Sequence, residues 1–225
     1  MQVELNKVYV FDVCGTLFHS NTTYDFLLFY FKRTNSVKFF LCRLVLSTPT
    51  KAIVVLLSKL GFKPDLRGFL ISQLKGESIE QLEKYADRFV KEFLETRKVE
   101  FTHNLLMDAK RKGNQLILAS GSIDIVVKAI SRHLSIKDFF SANLKEDGKG
   151  KLTGQIHHDP KGKKESMIFE NTLIDPSSLV VVTDNFDDIS LIGLSGQAYI
   201  ISKRKRKKMW ESLLKNHPKS QIINA

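Results

Sequence analysis

The sequence predicts an α/β protein: a parallel sheet covered on both faces by helices, with a helical segment inserted directly after the first strand. Three observations carry this. KVYVFDV (7–13) is rich in β-branched and aromatic residues and stops at a polar Cys-Gly-Thr turn, the pattern of a buried strand. From Phe18 to about Val99 apolar residues recur at helical spacing and hardly a strand pattern is found. After residue 100 strand-like and helix-like stretches alternate, which implies a parallel sheet.

In the first helical region Tyr24, Phe26, Leu27, Phe29 and Tyr30, and later Leu82, Tyr85, Phe89 and Phe93, recur at helical spacing, and Gly61, Pro64 and Gly76 divide it into several helices. Its aromatic residues, including Phe26, Phe29, Tyr30, Phe31, Phe39 and Phe40, read mainly as helix–helix core. A helix is expected around 101–112, ending at Gly113, then a strand QLILAS (115–120) and a helix over roughly 123–133. Short segments near 139–144 and 152–157 follow, the second as half of a hairpin, and then a helix at about 162–172. The strand SLVVVTD (178–184), a helix (187–195), the strand QAYIIS (197–202) and a terminal helix complete the order. The expected division is a core from 1–18 plus 100–225 and a helical cap from 19–99.

The chain has 225 residues, 43% hydrophobic and 26% charged, ordinary for a folded domain with one good core. Two cysteines, Cys14 and Cys42, are too few for a disulfide framework, and a reducing cytoplasm is the expected compartment. The N-terminus lacks a basic stretch followed by an apolar one, so no signal peptide is read. The most apolar region, roughly 26–60, is broken by Lys32, Arg33, Lys38, Arg43, Pro49 and Lys51. No uninterrupted run approaches the ~20 residues of a spanning helix, so an integral membrane protein is not expected. The net charge of +11 owes more than half to six consecutive basic residues, Lys203 to Lys208. The simpler reading of that run is a solvated helix start; the alternative is a peripheral electrostatic contact with acidic lipid, polyphosphate or nucleic acid. No zinc-ligand spacing, RNA-binding aromatic signature or repeat supports a nucleic-acid role.

In open parallel sheets ligands bind beyond the carboxyl ends of the strands. Three predicted strand ends carry Asp12, Ser120 and Asp184, which parallel pairing would bring to one edge. A carboxylate followed by Gly-Thr is an exposed nucleophile beside backbone amides suited to anions. Asp12 and Asp184 could share a hard divalent cation. Ser120 and the amides of Gly121 and Ser122, opening a helix, could hold phosphate oxygens. A lysine is wanted to neutralise charge during transfer, and Lys161, Lys163 and Lys164 compete for it. His157 and His158, adjacent in a strand, point to opposite faces and read as surface residues. His19, Asn21, Thr22 and Thr23 stand where the helical segment begins, as substrate contacts or as linker and cap residues.

The motifs themselves carry a resemblance. VYVFDVCGTLF (8–18) resembles the first motif of the haloacid dehalogenase superfamily, a hydrophobic strand followed by Asp-x-Asp-Gly-Thr. LILASGS (116–122) resembles its second motif and VVVTDNFDDISLI (180–192) its fourth. KLTGQIHHDPKGKKESMI (151–168) is similar to the segment that carries the third-motif lysine in phosphoserine-phosphatase-like members. The likeness covers nearly the whole chain. It implies a Rossmann-like parallel-sheet core with an inserted helical cap, and a Mg²⁺-dependent hydrolase of a small or amphiphilic phosphate ester. It makes Asp12 the nucleophile, Thr16, Ser120, Gly121 and Ser122 phosphate contacts, and Lys164 the third-motif lysine with Lys161 in reserve. Metal would be held by Asp12, Asp184 and the backbone carbonyl of Cys14. Asp188 is the supporting carboxylate, with Asp187 a neighbouring claimant.

One position departs from the pattern. The second aspartate of the first motif, the family's general acid and base, is Cys14 here. The carbonyl it would lend to a metal survives, whereas a thiol with an ordinary pKa of about 8.5 is a poor proton donor and acceptor at neutral pH. The departure implies turnover that is slowed or redirected, or else a phosphotransferase or a catalytically weakened binding or accessory protein. A thiolate at Cys14 is opposed by the nearby carboxylates.

Overall fold

The structure is a computed structural model that describes residues 7–62, 64–215, 217 and 219–224. Its frame is one seven-stranded sheet with β1 (Val8–Phe11) at the centre. On one side of β1 lie β2 (Gln115–Ile123), β3 (Asp138–Glu146) and β4 (Leu152–His158); on the other lie β5 (Leu179–Thr183), β6 (Gln197–Ser202) and β7 (Ser220–Asn224). All neighbours pair in parallel except β3 and β4, which form an antiparallel hairpin at the edge.

The unbroken apolar runs of the central strands follow from burial on both faces. Tyr9, Phe11, Leu116, Leu118, Val180 and Val182 enter one hydrophobic cluster, while Val8, Val10, Ile117, Ala119, Leu179 and Val181 enter the other. Each strand therefore alternates faces with period two, yet has no polar side to show.

Between β1 and β2 come α1 (Thr22–Thr34), α2 (Ser36–Val45), α3 (Thr48–Lys59), α4 (Leu66–Ser72) and α5 (Ile79–Phe89). A π-turn at Val90–Leu94 leads on to α6 (Glu100–Arg111). Gly61 and Gly76 stand at breaks with φ of 91° and 79°. The first two breaks are instead set by side-chain caps, Asn35 accepting from Lys38 N and Ser47 from Thr50 N. Phe26, Leu27, Tyr30 and Phe31 of α1 pack with Leu82, Ala86 and Phe89 of α5. The same cluster continues into Val126, Val127 and Ile130 of α7 (Asp124–Leu134). Phe26 and Phe29 both meet Phe89 edge-on, at 5.6 and 5.4 Å. The inserted helices and the sheet domain thus share one hydrophobic core. The hairpin joins them too, Gly76 N donating to Leu152 O at 2.8 Å and Leu152 N to Glu77 O at 3.1 Å.

Several expectations are corrected. Phe40 is 64% exposed and is no part of the helix–helix core, and Phe39 is half-buried. The strand expected at 115–120 runs on through Ile123, across an irregularity in its pairing with β3. Gly121 and Ser122 therefore do not open a helix; α7 starts at Asp124. The helix after the hairpin, α8 (Lys164–Asn171), is shorter than expected, as is α9 (Ile189–Leu194). The basic run forms a 3₁₀ turn at Arg204–Arg206 and the start of α10 (Lys207–Leu213), beyond which β7 adds an unforeseen edge strand.

Candidate active site

Register brings the strand ends together. Phe11 lies opposite Leu118 of β2 and Val182 of β5. Asp12 follows Phe11 directly, while Ser120 and Asp184 each stand two residues beyond those partners. The chain crosses from β1 to β2 on one side and reaches β5 on the other, so Asp12 and Asp184 flank the topological switch of the sheet.

The loop after β1 turns back sharply, Leu17 N donating to Val13 O at 3.0 Å and Gly15 N to Phe18 O at 2.9 Å. Gly15 adopts φ 71°, and a Cβ there would stand 2.4 Å from Asp184 Oδ2. Glycine is required both by the left-handed backbone and by the carboxylate lying against it. Thr16 then ties the two strand ends. Its Oγ1 accepts from Asp184 N at 2.9 Å and lies 3.3 Å from both Asp12 Oδ2 and Asp184 Oδ1. Thr102 of α6 donates to Thr16 O at 2.8 Å, anchoring the loop from behind.

Lys164, at the first turn of α8, is only 5% exposed and donates to Asp12 Oδ1 at 2.7 Å and to Asp188 Oδ2 at 2.9 Å. Asp188 Oδ2 also accepts from Thr183 Oγ1 at 2.6 Å. This distinguishes the candidate residues: Lys161 and Lys163 are exposed, Asp188 is buried and Asp187 is exposed. Burial opposes charge on Lys164, but Asp12 and Asp188 together outweigh it and hold the ammonium above its ordinary range. Burial, opposed by Lys164 and assisted by Asp188, leaves the Asp12 carboxyl above the usual carboxylate range. Burial and then the Asp12 charge push Asp184 up to about 6.

Cys14 occupies a nest of hydroxyls. Its Sγ lies 3.0 Å from Ser122 Oγ and 3.2 Å from Thr22 Oγ1, and those two oxygens are 2.6 Å apart. Burial foremost, and then the Asp12 charge, raise the thiol pKa above its ordinary value, so the group is a neutral thiol at physiological pH. Ser120 is 1% exposed and its Oγ accepts from Ser122 N at 3.2 Å.

Above these residues opens a cleft of about 270 Å³, lined at its base by Asp12, Cys14, Asp184 and Ser120–Ser122. Asn21, Thr23 and Tyr24 of the α1 end form one wall. Asn21 caps α1 by accepting from Tyr24 N, and Thr23 Oγ1 accepts from Ile123 N. Asn21 is therefore both cap and cleft wall, whereas His19 borders an adjacent cavity. His157 and His158 are exposed on β4 and do not line this cleft.

Sequence reasoning missed Arg67 and Arg206. Arg67, at the start of α4, reaches across to donate to Gly121 O at 2.7 Å and forms a two-pronged ion pair with Asp159. It lies in an unpatterned stretch, and nothing in its neighbourhood signals a site. Arg206 belongs to the basic run, so that run is not wholly solvated: its guanidinium sits 5.7 Å from the Phe186 ring, which stacks on buried Trp210 at 4.2 Å. This anchoring turns Arg206 into the cleft lining.

A family model of haloacid dehalogenase-like hydrolases matches residues 9–192. Among solved structures, a protein of unknown function from Bordetella pertussis Tohama I superposes with a TM-score of 0.73 at 13% identity, over 97% of this chain and 98% of that one. A probable phosphoserine phosphatase from Vibrio cholerae gives 0.58 at 16% identity, over 92% of this chain and 58% of that one. A phosphoserine phosphatase held as a phospho-aspartyl intermediate analogue gives 0.55 at 20% identity, over 96% and 92%. No curated protein matches the chain. At these identities the structural likenesses establish the fold, and chemistry has to be argued from the residues above.

Proposed function

The chain belongs to the haloacid dehalogenase-like hydrolase family, and from that premise we propose that it is a Mg²⁺-dependent phosphatase in which Asp12 forms a covalent phospho-enzyme. The observation that carries this reading is the setting of Asp12, with Oδ1 on Lys164 and Oδ2 beside Thr16, at the base of the cleft. An Asp12 oxygen attacks phosphorus, the ester P–O bond breaks, and the departing alkoxide takes up a proton. Water then attacks the aspartyl-phosphate, losing a proton and releasing phosphate with the carboxylate restored. Lys164 offsets the charge gathered at the transferring group, and Ser120, Thr16 and the Gly121–Ser122 backbone are the phosphate contacts. Asp188 positions Lys164 and does not itself touch the reacting atoms.

The donor set suits a hard cation. Asp12 and Asp188 share the single buried ammonium of Lys164, and Asp184 has no ion-pair partner among the described residues. Two carboxylates with the Cys14 carbonyl are oxygen ligands of the kind Mg²⁺ accepts, the rest being supplied by water and substrate phosphate. When bound, Mg²⁺ would neutralise the phosphoryl oxygens.

Cys14 sets the rate. General acid–base assistance is worth ~10²–10⁴-fold, and a thiol raised above its ordinary pKa gives little of it. Turnover of alkyl phosphates is therefore slow, and an acyl phosphate, whose leaving group needs no proton, suffers least. The same feature supports a second reading from a different class, an accessory protein that binds a phosphorylated ligand without turning it over. The size of the cleft, with Arg67, Lys161 and Arg206 at its rim, favours a small anionic or amphiphilic headgroup.

The test is a phosphate-ester panel with Mg²⁺. Asp12→Asn abolishes turnover, and Cys14→Asp raises it by up to ~10²–10⁴-fold. Activity unchanged in Asp12→Asn refutes the mechanism; ligand binding with no turnover in either the native chain or Cys14→Asp establishes the accessory role instead.

A further inference from the structure

The α2–α3 pair presents an apolar surface that nothing in the fold covers. On α2, Val37, Phe40 and Leu44 are 75%, 64% and 65% exposed; on α3, Ile53, Leu56 and Leu60 (the last just past the helix end) are 57%, 59% and 66% exposed. Both triplets have the i, i+3, i+7 spacing of one helical stripe. Isolated exposed leucines mean little, but an exposed apolar stripe on each of two joined helices is the kind of surface that marks an interaction site.

Charge indicates what covers it. Between Asp25 and Asp65 the sequence has no acidic residue, but has Lys32, Arg33, Lys38, Arg43, Lys51, Lys59 and Lys63. Arg33 and Lys38 are engaged with Glu92 and Glu77. Lys32, Arg43 and Lys59 are exposed and make no ion pair among the described residues. A second copy of the chain seated face to face would set these cations against one another, a costly juxtaposition. An anionic lipid surface accepts both the apolar stripe and its cations.

The geometry points to seating of α2–α3 in the interfacial layer of an anionic bilayer. The pair lies in the membrane plane. No single described helix is long and apolar enough to cross; α2 and α3 reach that length only together, across a 48° bend. The opposite face of α2 is also committed to the protein, with Cys42 buried and Phe39 packed on the core. Leu60 precedes Arg67 of the cleft wall by seven residues, a reach of at most ~25 Å, so a seated protein keeps its cleft close to the lipid surface.

The test is sedimentation of the full chain with phosphatidylcholine vesicles, with and without phosphatidylglycerol, alongside analytical ultracentrifugation without lipid. The native chain is expected to pellet with the anionic vesicles. Phe40→Glu combined with Leu56→Glu is expected to weaken that partition by more than ~tenfold, because two apolar anchors are lost and two repelling charges gained. Circular dichroism reports whether this variant folds, and the milder Val37→Gln with Leu60→Gln, which adds no charge, repeats the test and loses binding in the same direction. Absence of vesicle binding by the native chain, or equal binding by the folded variants, overturns the proposal. A dimer that both pairs of substitutions disperse, with no vesicle binding, also overturns it and assigns the face to a second copy.

Discussion

Replacing Lys164 with methionine keeps the shape of the side chain and removes its charge from a position only 5% exposed. The ammonium is 2.7 Å from Asp12 and 2.9 Å from Asp188, and without it two carboxylates face each other inside the protein. Breaking a buried pair by deleting one partner costs about 3–5 kcal/mol. For a chain of this size ~1 kcal/mol moves the melting temperature by roughly 2–4 °C, so a fall of about 6–20 °C is expected at neutral pH. The sign of the pH dependence follows from the same charges. With Lys164 gone, the folded pKa of Asp12, already raised, rises further above its unfolded value. The stability that group contributes is then full at low pH and is lost as pH rises through the folded value. The deficit of Lys164→Met should therefore shrink from pH 8 towards pH 5, and Asp188→Asn, added to it, should recover much of the loss. Thermal melts by circular dichroism in chelator-treated buffer measure all three quantities. A deficit below ~1 kcal/mol, a deficit independent of pH, or a second substitution that deepens it would refute the ion-pair reasoning.

Because the Asp184 carboxyl is pushed up to about 6, the proposed Mg²⁺ would have to displace a proton below that pH. Affinity measured by calorimetry should fall about tenfold per pH unit below 6 and level off above it, and a flat profile between pH 5 and 7.5 would contradict this. Without metal, the raised pKa makes a contribution to stability that is full below 3.8 and lost as pH climbs to about 6, so Mg²⁺ should raise the melting temperature at pH 7.5 more than at pH 5. Gly15→Ala places a methyl against the Asp184 carboxylate at a φ of 71°; a loss of about 1–3 kcal/mol and weakened Mg²⁺ binding are expected, and a variant with native melting and affinity would show that the loop need not take this shape.

How much of this was legible in the sequence depends on how each feature is encoded. Asp12, Ser120 and Asp184 could be brought to one edge because strand ends are marked by apolar runs stopping at polar residues, and parallel pairing does the rest. The preference for Lys164 over Lys161 and Lys163 rests on the family likeness; of the three only Lys164 is buried, donating to Asp12 from the first turn of α8. The resemblance implies a phosphate contact at Thr16 but does not show it as the hydroxyl joining Asp12 to Asp184, because that link crosses between strands distant in the chain. Arg67 was invisible for the same reason, its partners Asp159 and Gly121 being 92 and 54 residues away. Phe40 was misread because an aromatic residue at helical spacing looks alike whether its stripe meets another helix or solvent. β7 escaped because a short SQIIN segment at a sheet edge has no period long enough to register.

The Cys14 nest bears on whether the substitution is decay or design. A carboxylate lost by drift would leave a site shaped for an acid, with donors left over. Here Ser122 and Thr22 approach the sulfur at 3.0 and 3.2 Å and each other at 2.6 Å, which closes their hydrogen bonding among themselves. Burial and the adjacent Asp12 charge oppose ionisation of the thiol and outweigh the hydrogen bonds from Ser122 and Thr22 that favour it. Under the proposed mechanism Asp12, Thr16, Lys164 and Asp184 would keep their roles, while the position proposed to move a proton carries a neutral thiol. With an acyl phosphate, whose leaving group needs no proton, such a site would gain a phosphoryl group more readily than it would lose it to water. On the proposed mechanism the lifetime of an Asp12 phospho-enzyme, rather than the turnover number, is then the quantity to measure.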